Sequence, residues 1–295
     1  MTLKVGYIPE HFSTPIAFAA KYDYFGENGL TNVQLIPYPS GSGHLISSLK
    51  TREIDIAIGL TEAFVRGLCQ GDGGDYQISG EYVESPLCWS ISSGNGREDV
   101  NKIEDLEGKR IGVSRIGSGS YIMSYVLALE QDFGKSTFEF KILENFENLR
   151  NSVNNRSTDA FMWEYFTTKK YYDSGELKKI GEIYTPWSSW VISSSTSKDV
   201  QELVPMFLKS IQQGINYYNE HEDEALDDIL ENLDYNSRDD LKEWAKRVQF
   251  TKDVTKIYFN KNIIKTKDVL KTAGLITDDD SVVLRRLKQG VRSEM

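Results

Sequence analysis

Apolar and polar positions along the chain switch between two periods, and each switch marks an element. "LKVGYI" (3–8) alternates apolar and polar residues before Pro9 and Glu10, which predicts a strand. "TPIAFAAKYDYFGENGL" follows with helical spacing. Thr14 is its expected N-cap, Pro15 takes the first helical position, and Gly26 and Gly29 close it. "NVQLIPY" reads as a second strand and "SGSGHLISSLKTREI" as a turn and helix. "DIAIGL" is a third strand, nearly all apolar, as a parallel strand buried on both faces should be. This β-α-β-α-β order predicts a doubly wound α/β unit with a mostly parallel sheet.

The order then recurs. "KRIGVSR" is a strand, "IGSGSYIMSYVLALEQDFG" a turn and helix, "FEFKIL" a strand, "NFENLRNSVNNRS" a helix and "TDAFMWE" a strand. Residues 44–59 and 148–163 align at constant offset: Leu45 with Leu149, Ser48 with Ser152, Arg52 with Arg156, Asp55 with Asp159. Two similar α/β lobes are expected. "SPLCWSISSGNG" (85–96) and "YTPWSSWVISSS" (184–195) are the segments that carry the chain to the second lobe and back. The expected division is residues 1–91 and 188–295 in the first lobe and 92–187 in the second, with hinges near 90–95 and 187–192. After residue 196 the chain is charged and helical. Leu203, Met206, Phe207, Ile211 and Ile215 keep helical spacing, which predicts packing over the first lobe. The acidic run Glu222–Glu224, with Asp227 and Asp228, reads as a solvated helix face.

Charge and composition narrow the partners. A net charge of −10 on 295 residues argues against nucleic acid, whose phosphates need a positive face. No run of eighteen apolar residues occurs, so no membrane span is expected. "MTLKVGYIPE" enters a strand at once, without the basic and apolar segments of an export signal. Two cysteines, Cys69 and Cys88, are too few for a disulfide framework, and a cytoplasmic location is expected. The three histidines are scattered, so no metal and no cofactor is expected.

Ligands of open α/β sheets bind beyond the carboxyl ends of the strands. In the first lobe that rule selects Tyr7, His11, Phe12, Ser13 and Thr14, then Ser40, Gly41 and Ser42, then Thr61 and Glu62. In the second it selects Arg115, Ser118, Gly119, Ser120 and Tyr121, then Trp163 and Glu164. The crossing segments add Trp89, Trp187 and Trp190. Each serine alone reads as a helix cap. Two Ser/Gly turns facing one cleft would present free N–H groups and two positive helix ends to a polar or anionic ligand. Neither a dinucleotide fingerprint nor a phosphate-loop lysine is present: Ile122 stands where the third glycine belongs. Several tryptophans around a cleft suit a flat ring, with Glu62 and Glu164 accepting from its amino groups.

Three segments carry a family resemblance. "STPIAFAAKYDYFGENGL" is similar to the first helix of solute-binding proteins for sulfonates, taurine and nitrate. "LISSLKTREIDIAIG" resembles their "L-x-x-G-x-(I/V)-D" segment, and "VNKIEDLEGKRIGVSRIGSGSY" their "DLKGKKIAV…GS" segment. The resemblance covers roughly residues 3 to 220 and extends to fungal thiamine-pyrimidine synthases. It implies a type II periplasmic-binding-protein fold, with a small ligand held between lobes that close by hinge motion. The ligand it implies is thiamine-precursor-like or an organic sulfonate. The alternative it implies is a synthase, which needs a lysine soon after the third strand, a histidine nearby and a cysteine-rich second crossing. Here "LTEAFVRG" follows that strand, Ser13 stands where those enzymes have a histidine, and "TPWSSWVISS" holds no cysteine. Binding without chemistry is therefore the expected function.

Overall fold

The computed structural model describes residues 2–134 and 138–292. The first lobe begins with β1 (Leu3–Tyr7), α1 (Thr14–Lys21), α2 (Tyr24–Glu27), β2 (Val33–Pro37), α3 (Ser42–Lys50), β3 (Ile56–Leu60), α4 (Thr61–Cys69) and β4 (Tyr76–Val83). The second contains β5 (Cys88–Gly94), β6 (Arg110–Val113), α5 (Gly119–Glu130), β7 (Glu139–Ile142), α6 (Phe146–Asn154), β8 (Ala160–Glu164), α7 (Tyr165–Asp173) and β9 (Leu177–Tyr184). The chain returns through β10 (Trp190–Ser195). It ends in α8 (Lys198–Glu220), α9 (Glu222–Asn232), α10 (Arg238–Ala245), α11 (Lys265–Thr272) and α12 (Asp280–Gly290).

Each lobe is built on a five-stranded sheet, ordered β2-β1-β3-β10-β4 in the first and β7-β6-β8-β5-β9 in the second. In both, three strands run parallel and the fourth, β10 or β5, is antiparallel to its neighbours. That fourth strand is the one that has just crossed between lobes, so neither sheet is complete without the crossing.

The aligned windows 44–59 and 148–163 are structural equivalents. Asp55 accepts from the Lys4 amide at 2.8 Å, and its own N–H donates to the Lys4 carbonyl. Asp159 does the same with Arg110, at 2.9 Å. Arg52 and Arg156 both turn the chain through the left-handed region, at φ 60° and 62°. The shared residues thus close one helix-to-strand turn and fasten it to the middle one of the lobe's three parallel strands. Two further echoes lie in the strands. β5 and β10 share W-x-I-S-S (Trp89–Ser93 and Trp190–Ser194), and the edge strands share Gly-Glu, at Gly80–Glu81 and Gly181–Glu182.

Three expectations are corrected. The single helix expected from Thr14 to Gly26 is two, because Asp23 adopts φ 55° and turns the chain between α1 and α2. The N-cap position falls on Ser13. Its hydroxyl donates back to the Ile8 carbonyl, and that of Thr14 to the His11 carbonyl. The chain crosses at residues 84–87, which places the expected boundary at 91 and the expected hinge at 90–95 inside β5. The serines there are buried strand residues, and Ser93 satisfies its hydroxyl on the Asp159 carbonyl at 2.8 Å. The return crossing spans 185–189. The two crossings are tied to each other: the Leu87 amide donates to Thr185 Oγ1 (2.8 Å), the Thr185 amide to the Leu87 carbonyl (3.1 Å), and Ser189 to the Ser85 carbonyl (2.7 Å).

The C-terminal helices cover the first lobe, α8 against α1 and α11 and α12 against α4. Glu224 is no free face residue: it accepts from Tyr22, Lys21 and Tyr217, pinning α9 to α1. The region also reaches the second lobe. Lys169 and Lys170 of α7 pair with Asp240 (3.2 Å) and Asp234 (2.5 Å), and Tyr235 bonds Thr167 at 2.9 Å.

Candidate functional site

The carboxyl ends of β1, β3, β6 and β8 meet at the interlobe cleft, as the strand-end rule requires. The cavity there is small, about 40 Å³, room for roughly three waters. Two helices start at it. Gly41, at φ 79°, caps α3, and the Ser42 hydroxyl accepts the Leu60 amide at 2.9 Å. Ser118 caps α5, accepting the Tyr121 amide at 3.3 Å, and its hydroxyl meets that of Ser120 at 3.0 Å. The lobes are pressed together here. A Cβ on Gly119 would lie 2.5 Å from Leu60 Cδ1 across the cleft and 2.7 Å from the Trp89 ring.

Three tryptophans wall the cavity. Trp89 and Trp190 occupy the same place in the two W-x-I-S-S strands, and Trp163 is the next-to-last residue of β8. The indole Nε1 atoms of Trp89 and Trp190 are buried and have no hydrogen-bond partner, whereas Trp163 donates to Glu10 Oε1 at 3.1 Å.

Two carboxyls share this lining with the tryptophans. Glu164 accepts the Thr167 amide at 2.7 Å as N-cap of α7. Burial, reinforced by the nearby Glu10 carboxylate, pushes its carboxyl up to about 8. Burial also raises Glu10 to about 7, against the bond from Trp163. His11 lies flat between Trp244 (4.2 Å) and Tyr235 (4.7 Å), with Nε2 3.5 Å from Glu164 Oε2. Burial holds its pKa well below 6.5, and neither ring nitrogen has a hydrogen-bond partner. Near pH 7 the site therefore holds a neutral imidazole and two carboxyls that resist ionising together. Among the described residues, no lysine or arginine lines the cavity.

Of the residues selected from the sequence, Gly41, Ser42, Trp89, Ser118, Gly119, Ser120, Trp163, Glu164 and Trp190 line this cavity. A layer behind them supports the walls. Phe12 stacks on Trp190 at 5.1 Å, and Glu62 accepts from Trp187 Nε1 at 2.9 Å, with its carboxyl raised to about 7 by burial. Thr61, fully buried, opens α4 immediately after Leu60. The others are turned elsewhere. Ser13 and Thr14 spend their hydroxyls on the backbone, and Tyr7 and Ser40 flank the cavity without lining it. Tyr121 packs edge-on to Tyr125 (5.1 Å) and beside Phe140. Arg115 lies against the first turn of α3, with Cδ 3.6 Å from where a Gly43 Cβ would be, rather than in the cavity.

The sequence reading missed Ile8, Glu10, Leu60, Leu87 and Ser114 in the lining, and Tyr235 and Trp244 behind it. Glu10 and Ser114 each lie within three residues of a strand end, inside the stretches that supplied Tyr7, His11 and Arg115, so the strand-end rule covers them. Tyr235 and Trp244 carry no local signal. They arrive from the far end of the chain.

The Ca3427-like PBP family model matches residues 89–183. No curated protein sequence matches the chain. Among solved structures, the Candida albicans CA3427 gene product, described as defining a family with the generic periplasmic binding protein fold, superposes with a TM-score of 0.93. It is 48% identical, over 99% of this chain and 96% of that one. The alkanesulfonate-binding protein SsuA of Xanthomonas axonopodis pv. citri, bound to MOPS, gives a TM-score of 0.78 at 14% identity, over 99% and 98% of the two chains. The nitrate-binding protein NrtA of Synechocystis PCC 6803 gives 0.73 at 12%, over 99% and 86%. These last two share the fold alone. With near-half identity over almost its whole length, the chain belongs to the family defined by the CA3427 product, with the periplasmic-binding-protein fold.

Proposed function

We propose that this protein binds, without transforming it, a small ring compound that presents N–H donors on one edge and acceptors on the other. An aminopyrimidine of the thiamine-precursor type has this pattern. The observation that carries the reading is the carboxyl pair Glu10 and Glu164 in the lining of a cavity walled by Trp89, Trp163 and Trp190. Carboxyls accept from amino groups, and tryptophan faces stack on flat rings. The helix starts of α3 and α5 and the indole N–H groups of Trp89 and Trp190, which share this lining, suit acceptor atoms. A sulfonate would also meet the Glu10 and Glu164 carboxyls, with no lysine or arginine among the described lining residues to offset them.

A ring exceeds the 40 Å³ of the closed cavity, so binding requires the lobes to part. The chain passes between the two sheets through the paired crossings 84–87 and 185–189, an arrangement that suits hinge motion. Two buried, unpaired thiols fit a reducing compartment, and we place the protein in the cytoplasm as a carrier or sensor. The test is a thermal-shift series with 4-amino-5-hydroxymethyl-2-methylpyrimidine, taurine and an alkanesulfonate, because a bound ligand raises stability by mass action. Stabilisation by the pyrimidine, lost in Glu164→Ala, is expected. Stabilisation by the sulfonates alone would reverse the assignment of the ligand, and turnover of the pyrimidine would overturn its non-catalytic character.

A further inference from the structure

A second cavity, of about 470 Å³, lies beside the crossings and shares no lining residue with the first. Its walls are Pro86, Tyr165, Lys179, Glu182, Tyr184 and Arg247. We propose that it is a separate site for a small aromatic anion of the nucleoside-monophosphate class. The volume is in the usual range for small-molecule sites. Its charge is positive on balance, two cations against the Glu182 carboxylate, on a chain that is acidic overall. Lys179 is ion-paired with Glu182. Arg247 makes no ion pair among the described residues; its guanidinium sits over the Phe166 ring at 5.2 Å. It acts on the Glu182 and Glu243 carboxylates only at a distance that leaves its fork of donors for an oxyanion.

The aromatic half is also present. Tyr184 is 43% exposed, one of few large side chains left in solvent, and its hydroxyl donates to Glu182 at 3.2 Å, which fixes the ring. Tyr165 lies beneath the Lys179 ammonium at 4.5 Å. Pro86 belongs to the first crossing, Tyr184 precedes the second, and Arg247 follows α10 of the C-terminal region. An occupant would touch both lobes at the hinge and so bias their closure.

Calorimetric titration with AMP, ribose 5-phosphate and adenosine tests the site, since these carry ring and anion, anion alone and ring alone. Saturable AMP binding is expected, with the other two at least about tenfold weaker. Arg247→Gln and Tyr184→Ala change exposed side chains and should each weaken AMP about tenfold, with unchanged thermal stability. Absence of saturable AMP binding overturns the proposal, as does ribose 5-phosphate binding as well as AMP. AMP binding that survives both substitutions but is lost in Glu164→Gln would place it in the interlobe cleft, and would equally overturn it.

Discussion

Glu164→Gln separates the charge of the cleft carboxyl from its shape. In the folded protein burial moves this carboxyl from 4.5 to about 8. A group whose folded value is raised contributes stability that is complete below its unfolded value and is lost as pH rises through the folded one. At about 1.4 kcal/mol per pH unit, full ionisation therefore withdraws on the order of 4 kcal/mol between pH 4.5 and pH 9. Glutamine keeps the acceptor for the Thr167 amide and never ionises. The variant should match the parent near pH 5 and exceed it by a few kcal/mol near pH 8.5. Urea denaturation of both proteins at half-unit steps from pH 5 to 8.5 measures the difference directly. Glu62 and Glu81 are raised too, but they titrate in both proteins and largely cancel; Glu10 is coupled to Glu164, so losing the second carboxyl eases its ionisation and adds to the variant's advantage at high pH. A constant stability difference across this range would refute the claim that Glu164 is held protonated by burial.

Other outcomes follow from the same geometry. Gly119→Ala places a methyl within 2.5 Å of Leu60 and 2.7 Å of Trp89; overpacking of this kind costs about 1–3 kcal/mol, and small-angle scattering should show the lobes held apart. Asp159→Asn strips the buried Arg97 of a partner at 2.7 Å and weakens the strap on Arg110, so a loss of about 3 kcal/mol in denaturant melts is expected. Because these arginines hold the Asp159 carboxyl down at about 2, the parent should lose this contribution only as pH falls from about 4 toward 2. Trp244→Ala removes one face of the His11 sandwich and a fully packed indole. A cost of about 3–5 kcal/mol is expected, and weaker pyrimidine binding should accompany it, since His11 backs Glu164.

The sequence by itself determined the two-lobed plan, because periodicity and turn chemistry are local. The Leu45/Leu149 and Asp55/Asp159 correspondences were visible as identities and proved to be one turn built twice. Helix starts at Ser42 and Ser118–Ser120 were legible for the same reason: a cap acts within three residues of itself. What the strands do at the crossings was not. Ser92 and Ser93 fell in the polar run where a hinge was expected, since a serine's polarity is seen locally while its hydrogen-bond partner, the Asp159 carbonyl for Ser93, is 66 residues away. β9 lacks strict alternation, whereas β4 alternates at Tyr76, Ile78 and Tyr82, and the Gly-Glu they share was there to be found. Tertiary structure alone decided the chemistry of the cleft. Arg115 was selected for its position after a strand, yet packing carried it onto α3, while Tyr235 and Trp244 were brought to His11 from more than two hundred residues away. The protonation of Glu10 and Glu164 is likewise a property of the closed cleft: desolvation depends on everything packed around a carboxyl, and the residues on either side of it in the chain do not carry that information.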